Sequence, residues 1–106
     1  MTIQYMPKFK KQYKKLPIKF QNQFDEKVQL FAIDPTNSIL RIHPLKGIYK
    51  GYWSMNVNGD IRALYIMRGQ EMIIFALIGS HSELYGQLIQ LNFSCDSIYY
   101  GPPIYT

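Results

Sequence analysis

The sequence predicts an α+β domain in which a helical hairpin packs on one face of a twisted, mainly antiparallel sheet, in the order β-α-α-β-β-β. Three observations support this fold class. Apolar residues repeat at helical spacing through the first third of the chain, and they alternate with polar residues after Ser38. The dipeptide Asn58-Gly59 then separates two alternating runs, as in a β-hairpin. A helical hairpin covering one sheet face is the simplest arrangement of these elements.

The first third of the chain predicts a short strand followed by two helices. Residues 2–5 alternate briefly, and Pro7 opens a helix in which lysines surround an apolar side. The Leu16-Pro17 junction ends this helix and starts the next one. An amphipathic stripe at helical spacing runs along the second helix and is interpreted as core: Phe20, Phe24, Val28 and Phe31.

Beyond Ser38 the pattern becomes strand-like. Ile39–Ile42 is predicted as a short strand, followed by a bend at His43-Pro44. Three longer strands are predicted at Tyr52–Val57, Asp60–Met67 and Met72–Ile78, the last of them apolar enough to be covered on both faces.

A two-residue turn between the first two of these longer strands fixes their register. It pairs Val57 with Asp60. Because side chains alternate along a strand, Asp60 and Arg62 would then share a face with Trp53, and Asn56 would point to the other face.

Length and composition limit the class of protein. A chain of 106 residues suits one domain with a single core. No apolar run is long enough for a transmembrane helix, and the N-terminus lacks the apolar region of a signal peptide. The single cysteine, Cys95, cannot form an internal disulfide. We therefore expect a reducing cytoplasm as the compartment and no membrane association.

The net charge of +5 is unevenly distributed along the chain. Residues 1–50 carry a net charge of +7, and residues 51–106 carry a net charge of −2. A basic surface of this kind favours a polyanion or an acidic protein as partner. A solvated lysine face that only keeps the protein soluble explains the same pattern equally well.

The residues available for chemistry suit a reaction at a phosphate group. There is no Cys/His cluster at metal-ligand spacing, no phosphate-binding P-loop and no GxGxxG, so neither a metal nor a cofactor is expected. What remains are His43, Asp60, Arg62, His81, the lysines and the tyrosines. Such groups can cleave RNA without a metal: a base activates a ribose 2′-OH, cations hold the phosphoryl oxygens, and an acid protonates the leaving 5′-oxygen.

Two segments, RIHPLKGIYKGYWSMNVNGDIRALY and LIGSHSELY, resemble the RelE/ParE superfamily of bacterial toxins, nearest its YafQ-like branch. The likeness covers roughly residues 1–86. It implies a RelE-like toxin domain, which we place at residues 1–91. The resemblance says nothing about the C-terminal tail at residues 92–106, whose role stays unassigned. It also implies the toxin of a type II toxin–antitoxin module, an endoribonuclease that cuts mRNA in the ribosomal A site. The implied partners are the ribosome with its mRNA and a neutralising antitoxin, with the toxin either monomeric or in a hetero-oligomer with that antitoxin.

The resemblance also suggests roles for individual residues. His43, Asp60 and His81 match proton-transfer residues, Arg62 matches a phosphate-binding arginine, and Tyr85 stands at the place of a functional aromatic. Candidates for contact with RNA or phosphate are Lys46, Lys50, Asn56 and Trp53. Candidates for docking on the ribosome are Lys8, Lys11 and Lys15, which share one exposed helical stripe. Asn56 replaces a histidine of the YafQ-like pattern.

Other interpretations remain open from the sequence. Arg62 is equally placed to form an ion pair with Glu83 or Glu71, and Trp53 suits the core. A ParE-like toxin would bind a protein target such as gyrase and cleave nothing. An inactive remnant would keep the fold and only bind an antitoxin.

Overall fold

The computed structural model describes residues 1–84, and within that range a five-stranded sheet is covered on one face by a helical hairpin. The strands are β1 (Thr2–Tyr5), β2 (His43–Pro44), β3 (Trp53–Asn56), β4 (Ile61–Arg68) and β5 (Met72–Ser80), and the helices are α1 (Pro7–Lys15) and α2 (Ile18–Ile33). The strand order is β1-β5-β4-β3-β2, with β1 parallel to β5 and all other pairs antiparallel. The predicted fold class is confirmed. Within the described range, no helix is both long and apolar enough to cross a membrane.

The helical hairpin is built around its two prolines. Pro7 occupies the first turn of α1, where its missing N–H leaves no hydrogen bond unmade. Pro17 precedes α2 in extended backbone. The side-chain nitrogen Nε2 of Gln21, one turn into α2, donates to the carbonyl oxygens of Tyr13 and Leu16 at 3.0 and 3.1 Å. The Leu16 N–H also donates to the Tyr13 carbonyl at 3.0 Å, so Gln21 adds a second donor to Tyr13 and supplies one to the Leu16 carbonyl beyond the end of α1.

The aromatic stripe predicted on the second helix packs in the hydrophobic core. Phe24 and Phe31 of α2 are 2% and 3% exposed. The ring of Phe24 lies 5.2 Å from those of Phe9 and Phe75, edge-on to Phe75, so the helices pack on the inner strand β5 through aromatic contacts. The helix-side core also includes residues of β3, of β4 and of the segment between them, among them Met55, Val57, Ile61, Ala63 and Tyr65.

The short strand predicted at Ile39–Ile42 is wrong. Ser38–Leu40 is a turn of 3₁₀ helix, and the strand begins only at His43. Asn37 decides the local structure, because its side-chain oxygen accepts a hydrogen bond from the Ile39 N–H at 2.9 Å and caps the turn. Arg41 then leaves the turn in the left-handed conformation, with φ of 47°.

The predicted hairpin register is also wrong by one residue. Asn56, not Met55, lies opposite Arg62, because the loop has three residues and the N–H of Val57 donates to the Ile61 carbonyl. The side chain of Asn58 fixes this loop by accepting from the N–H groups of residues 60 and 61, each at 2.8 Å. Gly59 does not adopt the positive φ that a two-residue type I′ turn requires.

A second apolar cluster covers part of the sheet face opposite the helices. Its buried members are Leu45, Tyr49, Leu64, Ala76, Leu77 and Leu84. The Tyr49 hydroxyl donates to the Leu84 carbonyl at 3.4 Å, which links the segment after β2 to helical residues 81–84. Residues on both faces of β5 are therefore buried, as its continuous apolar sequence predicts. We call this whole sheet face the site face, and beside the cluster it carries His43, Asn56 and Arg62.

Candidate active site

One row of residues crosses the site face from strand to strand. Asn56 lies opposite Arg62, and Arg62 lies opposite Gly79. Directly opposed residues of antiparallel strands share a face, and Leu64, two residues from Arg62, belongs to the cluster on this side. The structure therefore reverses the predicted faces: Asn56 accompanies Arg62, whereas Trp53 is half-buried against the helix-side core.

Arg62 is held by neutral groups. Its guanidinium nitrogen Nη1 donates to the carbonyl oxygens of Asn58 at 3.0 Å and Ile61 at 3.3 Å. The ion pair found in residues 1–84 joins Glu71 to the N-terminal amine, so neither Glu71 nor Glu83 neutralises Arg62. A half-buried guanidinium held by carbonyls keeps its positive charge and several N–H donors for an anion.

His81 follows β5 directly and begins a helical turn at residues 81–84. The turn has a capping box. The hydroxyl of Ser80 accepts from the Glu83 N–H at 3.0 Å, and the Glu83 carboxylate accepts from the Ser80 N–H at 2.8 Å. Buried Leu84 anchors the turn on the site face. The His81 N–H donates to the Asp60 carbonyl at 3.1 Å, which brings these two candidate residues together at the backbone.

His43 occupies the edge strand of the same face. It lies opposite Ser54 of β3, which places it diagonally next to Asn56, at about 7–8 Å between backbones. Its ring nitrogen Nδ1 is 3.0 Å from the carbonyl oxygen of Arg41. Because a carbonyl only accepts, this bond requires a proton on Nδ1, and in the neutral ring Nε2 then carries a lone pair.

The structure thus brings four of the five predicted catalytic residues to one region, together with Asn56. His43 and Arg62 are two strands apart and offset by two residues along the strands, a separation of about 12 Å between backbones, which suits side chains that reach a phosphate from two sides. Asp60 and His81 lie beyond Arg62, at the end where β4 begins and β5 ends.

The two lysines predicted beside His43 flank the segment that partly covers the site face. Lys46 precedes the 3₁₀ turn Gly47–Tyr49, and Lys50 follows it. Both lysines are exposed, and Tyr49 between them is buried. The turn therefore carries two cations next to the face on which His43 lies.

Lys8, Lys11 and Lys15 are exposed along α1, on the side of the sheet away from the site face. We call them the α1 lysine stripe. Their neighbours Lys10 and Lys14 instead line a separate groove of about 340 Å³ between β1, α1 and α2, floored by aromatic rings. In this groove, burial and then the hydrogen bond to the Asp25 carboxylate raise the pKa of Tyr13 to about 12. Tyr85, the last predicted site residue, lies outside the described residues.

The sequence analysis missed three residues that organise the site: Asn58, Ser80 and Glu83. The S-x-x-E pattern at residues 80–83 is a capping-box signature and was visible in the sequence. The role of Asn58 depends on its contacts in the folded chain and had no comparable signal. Within residues 1–84, no group of three or more His, Cys, Asp or Glu side chains could hold a metal ion.

Known structures share this architecture. Crystallised YafQ from Escherichia coli strain BL21(DE3) matches 79% of this chain and 97% of its own, with 24% identity and a TM-score of 0.68. A YoeB/ParE toxin from Agrobacterium tumefaciens matches 76% of this chain and 99% of its own, with 18% identity and a TM-score of 0.64. The fold is therefore that of the RelE/ParE class of toxins.

The toxin of the E. coli DinJ–YafQ toxin–antitoxin complex also matches, over 79% of this chain and 96% of its own, with 25% identity and a TM-score of 0.66. The family model described as the YafQ bacterial toxin of type II toxin–antitoxin systems matches residues 1–86. The chain belongs to this YafQ family of toxins. A sequence comparison with curated proteins gives no match.

Proposed function

We propose that this type II toxin is an endoribonuclease that cleaves mRNA in the ribosomal A site without a metal ion. The observation that carries the proposal is the environment of Arg62. Its guanidinium is held by two carbonyls, has no carboxylate partner in residues 1–84, and shares the site face with His43. Such an unneutralised cation beside proton-transfer groups is what attack on a phosphodiester requires.

The proposed reaction is an attack of the ribose 2′-oxygen on the adjacent phosphorus. A base removes the 2′-OH proton, the new P–O bond forms, and the bond from phosphorus to the 5′-oxygen breaks. An acid gives the leaving oxygen its proton. The products are a 2′,3′-cyclic phosphate, which water can open to a 3′-phosphate, and a 5′-OH end.

The position of each residue on the site face suggests which step it performs. His43 is proposed as the base, because its bond to the Arg41 carbonyl leaves Nε2 able to accept a proton. His81, with Asp60 beside it, is proposed to protonate the leaving oxygen from the other end of the site. Arg62 binds the phosphoryl oxygens between them.

The remaining candidates contact RNA or stay outside the chemistry. Asn56 lies beside Arg62 and can hydrogen-bond RNA, although its amide cannot transfer protons at neutral pH. Lys46 and Lys50 are exposed and attract the RNA backbone. Trp53 packs on the helix side and is not assigned as a platform for a base. Tyr85 stays a prediction.

The proposed partners follow from charge and from the relatives. The α1 lysine stripe docks the toxin on rRNA, away from the scissile phosphate. An antitoxin neutralises the toxin, as the DinJ–YafQ complex suggests. Both interactions take place in the cytoplasm.

Induced expression with genome-wide mapping of RNA 5′ ends tests the proposed function. Wild type should produce new 5′ ends within translated codons and stop growth. His81→Ala and Arg62→Ala should each lower cleavage by about 10²–10⁴-fold at equal folded concentration. Gln29→Ala changes an exposed residue of α2 away from the site face and serves as the matched control.

The same experiment separates the rival functions. Growth arrest with unchanged RNA ends would favour a ParE-like toxin that binds a protein target. Normal growth together with intact RNA, at confirmed folded expression, would favour an inactive remnant that only binds an antitoxin. Wild-type cleavage by either site variant would remove that residue from the mechanism.

A further inference from the structure

Asn58 is the most fully hydrogen-bonded residue next to the candidate site, although it is not itself a candidate for chemistry. Its side-chain oxygen accepts from the N–H groups of Asp60 and Ile61, both at 2.8 Å. Its side-chain nitrogen donates to the Gln23 side-chain oxygen at 2.7 Å. Its backbone carbonyl accepts from Arg62 at 3.0 Å. One residue therefore contacts the loop, the helix and the site arginine.

These contacts extend to the other end of the site. The Asn58 side chain orders Asp60, and the backbone carbonyl of Asp60 accepts a hydrogen bond from the backbone N–H of His81 at 3.1 Å. A continuous series of hydrogen bonds thus joins Gln23 of α2 to His81. Lys27, one turn along α2, fixes the same loop by donating to the Val57 carbonyl at 3.2 Å.

The geometry of the loop depends on this amide. The three-residue loop replaces the two-residue turn that the Asn-Gly sequence favours, and Asn58 supplies the two side-chain bonds that stabilise it. That loop sets the register in which Arg62 stands beside Asn56 on the site face. A change in the loop would therefore move the guanidinium, the Asp60 carboxylate and the start of the His81 turn together.

We propose that Asn58, held in place by Gln23, is a positioning residue for RNA cleavage. It touches no substrate and acts by fixing Asp60, Arg62 and His81 relative to one another. The proposal rests on the proposed function, because positioning matters only if this site cleaves RNA. It adds a specific role for α2, which otherwise only packs on the opposite sheet face.

Substitutions at the helix end of the series distinguish positioning from simple turn formation. Gln23→Ala removes the acceptor of Asn58 and leaves the loop's own bonds intact. Gln23→Glu keeps an oxygen that can accept the same bond. Gln29→Ala, exposed on the same helix, is the control. Asn58→Ala removes all three side-chain bonds.

Single-turnover cleavage on programmed ribosomes and amide hydrogen exchange are measured for each purified variant. Asn58→Ala should lower the cleavage rate constant by about 10²-fold with little change in ribosome affinity, since small misplacements of reacting groups cost about that much. Gln23→Ala should lower it less, and Gln23→Glu should restore it. The His81 amide should lose exchange protection in Asn58→Ala.

The two readouts separate the possible failures. Unchanged cleavage by Asn58→Ala, or an unchanged His81 amide, overturns the positioning role while the proposed function stands. A folded wild type that cleaves no RNA overturns the proposed function, and the catalytic role of Asn58 falls with it. A lower unfolding temperature with a normal cleavage rate constant, measured where all variants are folded, would reduce Asn58 to a turn former.

Discussion

The capping box at Ser80 should control how well His81 is ordered, and Ser80→Ala tests this. The substitution removes the hydroxyl oxygen that accepts a hydrogen bond from the Glu83 N–H at 3.0 Å. The reciprocal bond, from the Ser80 N–H to the Glu83 carboxylate at 2.8 Å, then stands alone. His81 is the first residue of the turn that these two bonds start. We therefore expect the damage to be local to the turn.

The magnitude follows from the cap. Loss of a serine cap costs about 1 kcal/mol, within a range of roughly 0.5–2 kcal/mol. A free-energy change of about 1 kcal/mol alters a population ratio about fivefold. Leu84, 1% exposed, still anchors the end of the turn, so global unfolding should be only slightly easier. If the frayed turn is inactive, cleavage should fall by at most this factor of about five, and by less the more completely the wild-type turn is ordered.

Denaturant unfolding and single-turnover cleavage, measured on the same preparations, provide the assay. Ser80→Thr keeps a hydroxyl acceptor and should behave nearly as wild type. Gln29→Ala, at an exposed position of α2 away from the turn, is the control and should change neither quantity. If Ser80→Thr loses as much activity as Ser80→Ala, the capping bond is not what orders His81.

Three further predictions concern backbone strain, burial and charge. The φ of 47° at Arg41 suits glycine and not a β-branched residue. Arg41→Gly should therefore be at least as stable as wild type and keep the proton on Nδ1 of His43, whereas Arg41→Val should be about 1–2 kcal/mol less stable and no longer favour that tautomer. Unfolding curves measure the stability, and ¹⁵N NMR of the imidazole reports the tautomer. Burial raises the pKa of Tyr65 to about 12. The contribution of this residue to the free energy of unfolding is therefore complete below pH 10, and up to about 3 kcal/mol is lost as the pH rises through 12. Tyr65→Phe should flatten this decline in alkaline denaturation. Changing the α1 lysine stripe to glutamine should weaken ribosome co-sedimentation and flatten its salt dependence, and an unchanged slope would leave these lysines as solubilising charge.

The helices and the central strands were predictable because their signals are local. Phe24 and Phe31 lie on one helical stripe, and that periodicity is sufficient to assign them to the core. The bulk of β4 and β5 follows from strand-like patterning in the same way. The strand at Ile39–Ile42 failed because one polar side chain, that of Asn37, capped a helical turn that hydrophobicity does not reveal.

The hairpin register failed for a comparable reason, and that error changed the site. The Asn-Gly signal favours a two-residue turn, but Asn58 uses its side chain to hold a longer loop and bonds to Gln23, 35 residues away in the sequence. No local rule contains that contact. His43, Asp60, Arg62 and His81 could be selected from residue chemistry and family resemblance. Their arrangement depended on the register and on the capping box.

The chemistry of the RNA ends tests the proposed site most directly. Purified wild-type protein is incubated with naked RNA in EDTA, and the termini of the products are determined by enzymatic labelling and mass spectrometry. The metal-free mechanism through His43, Arg62 and His81 predicts 2′,3′-cyclic phosphate or 3′-phosphate ends with 5′-OH partners, formed by wild type and not by Arg62→Ala. Cleavage that strictly requires a divalent ion and leaves 5′-phosphate ends would contradict it.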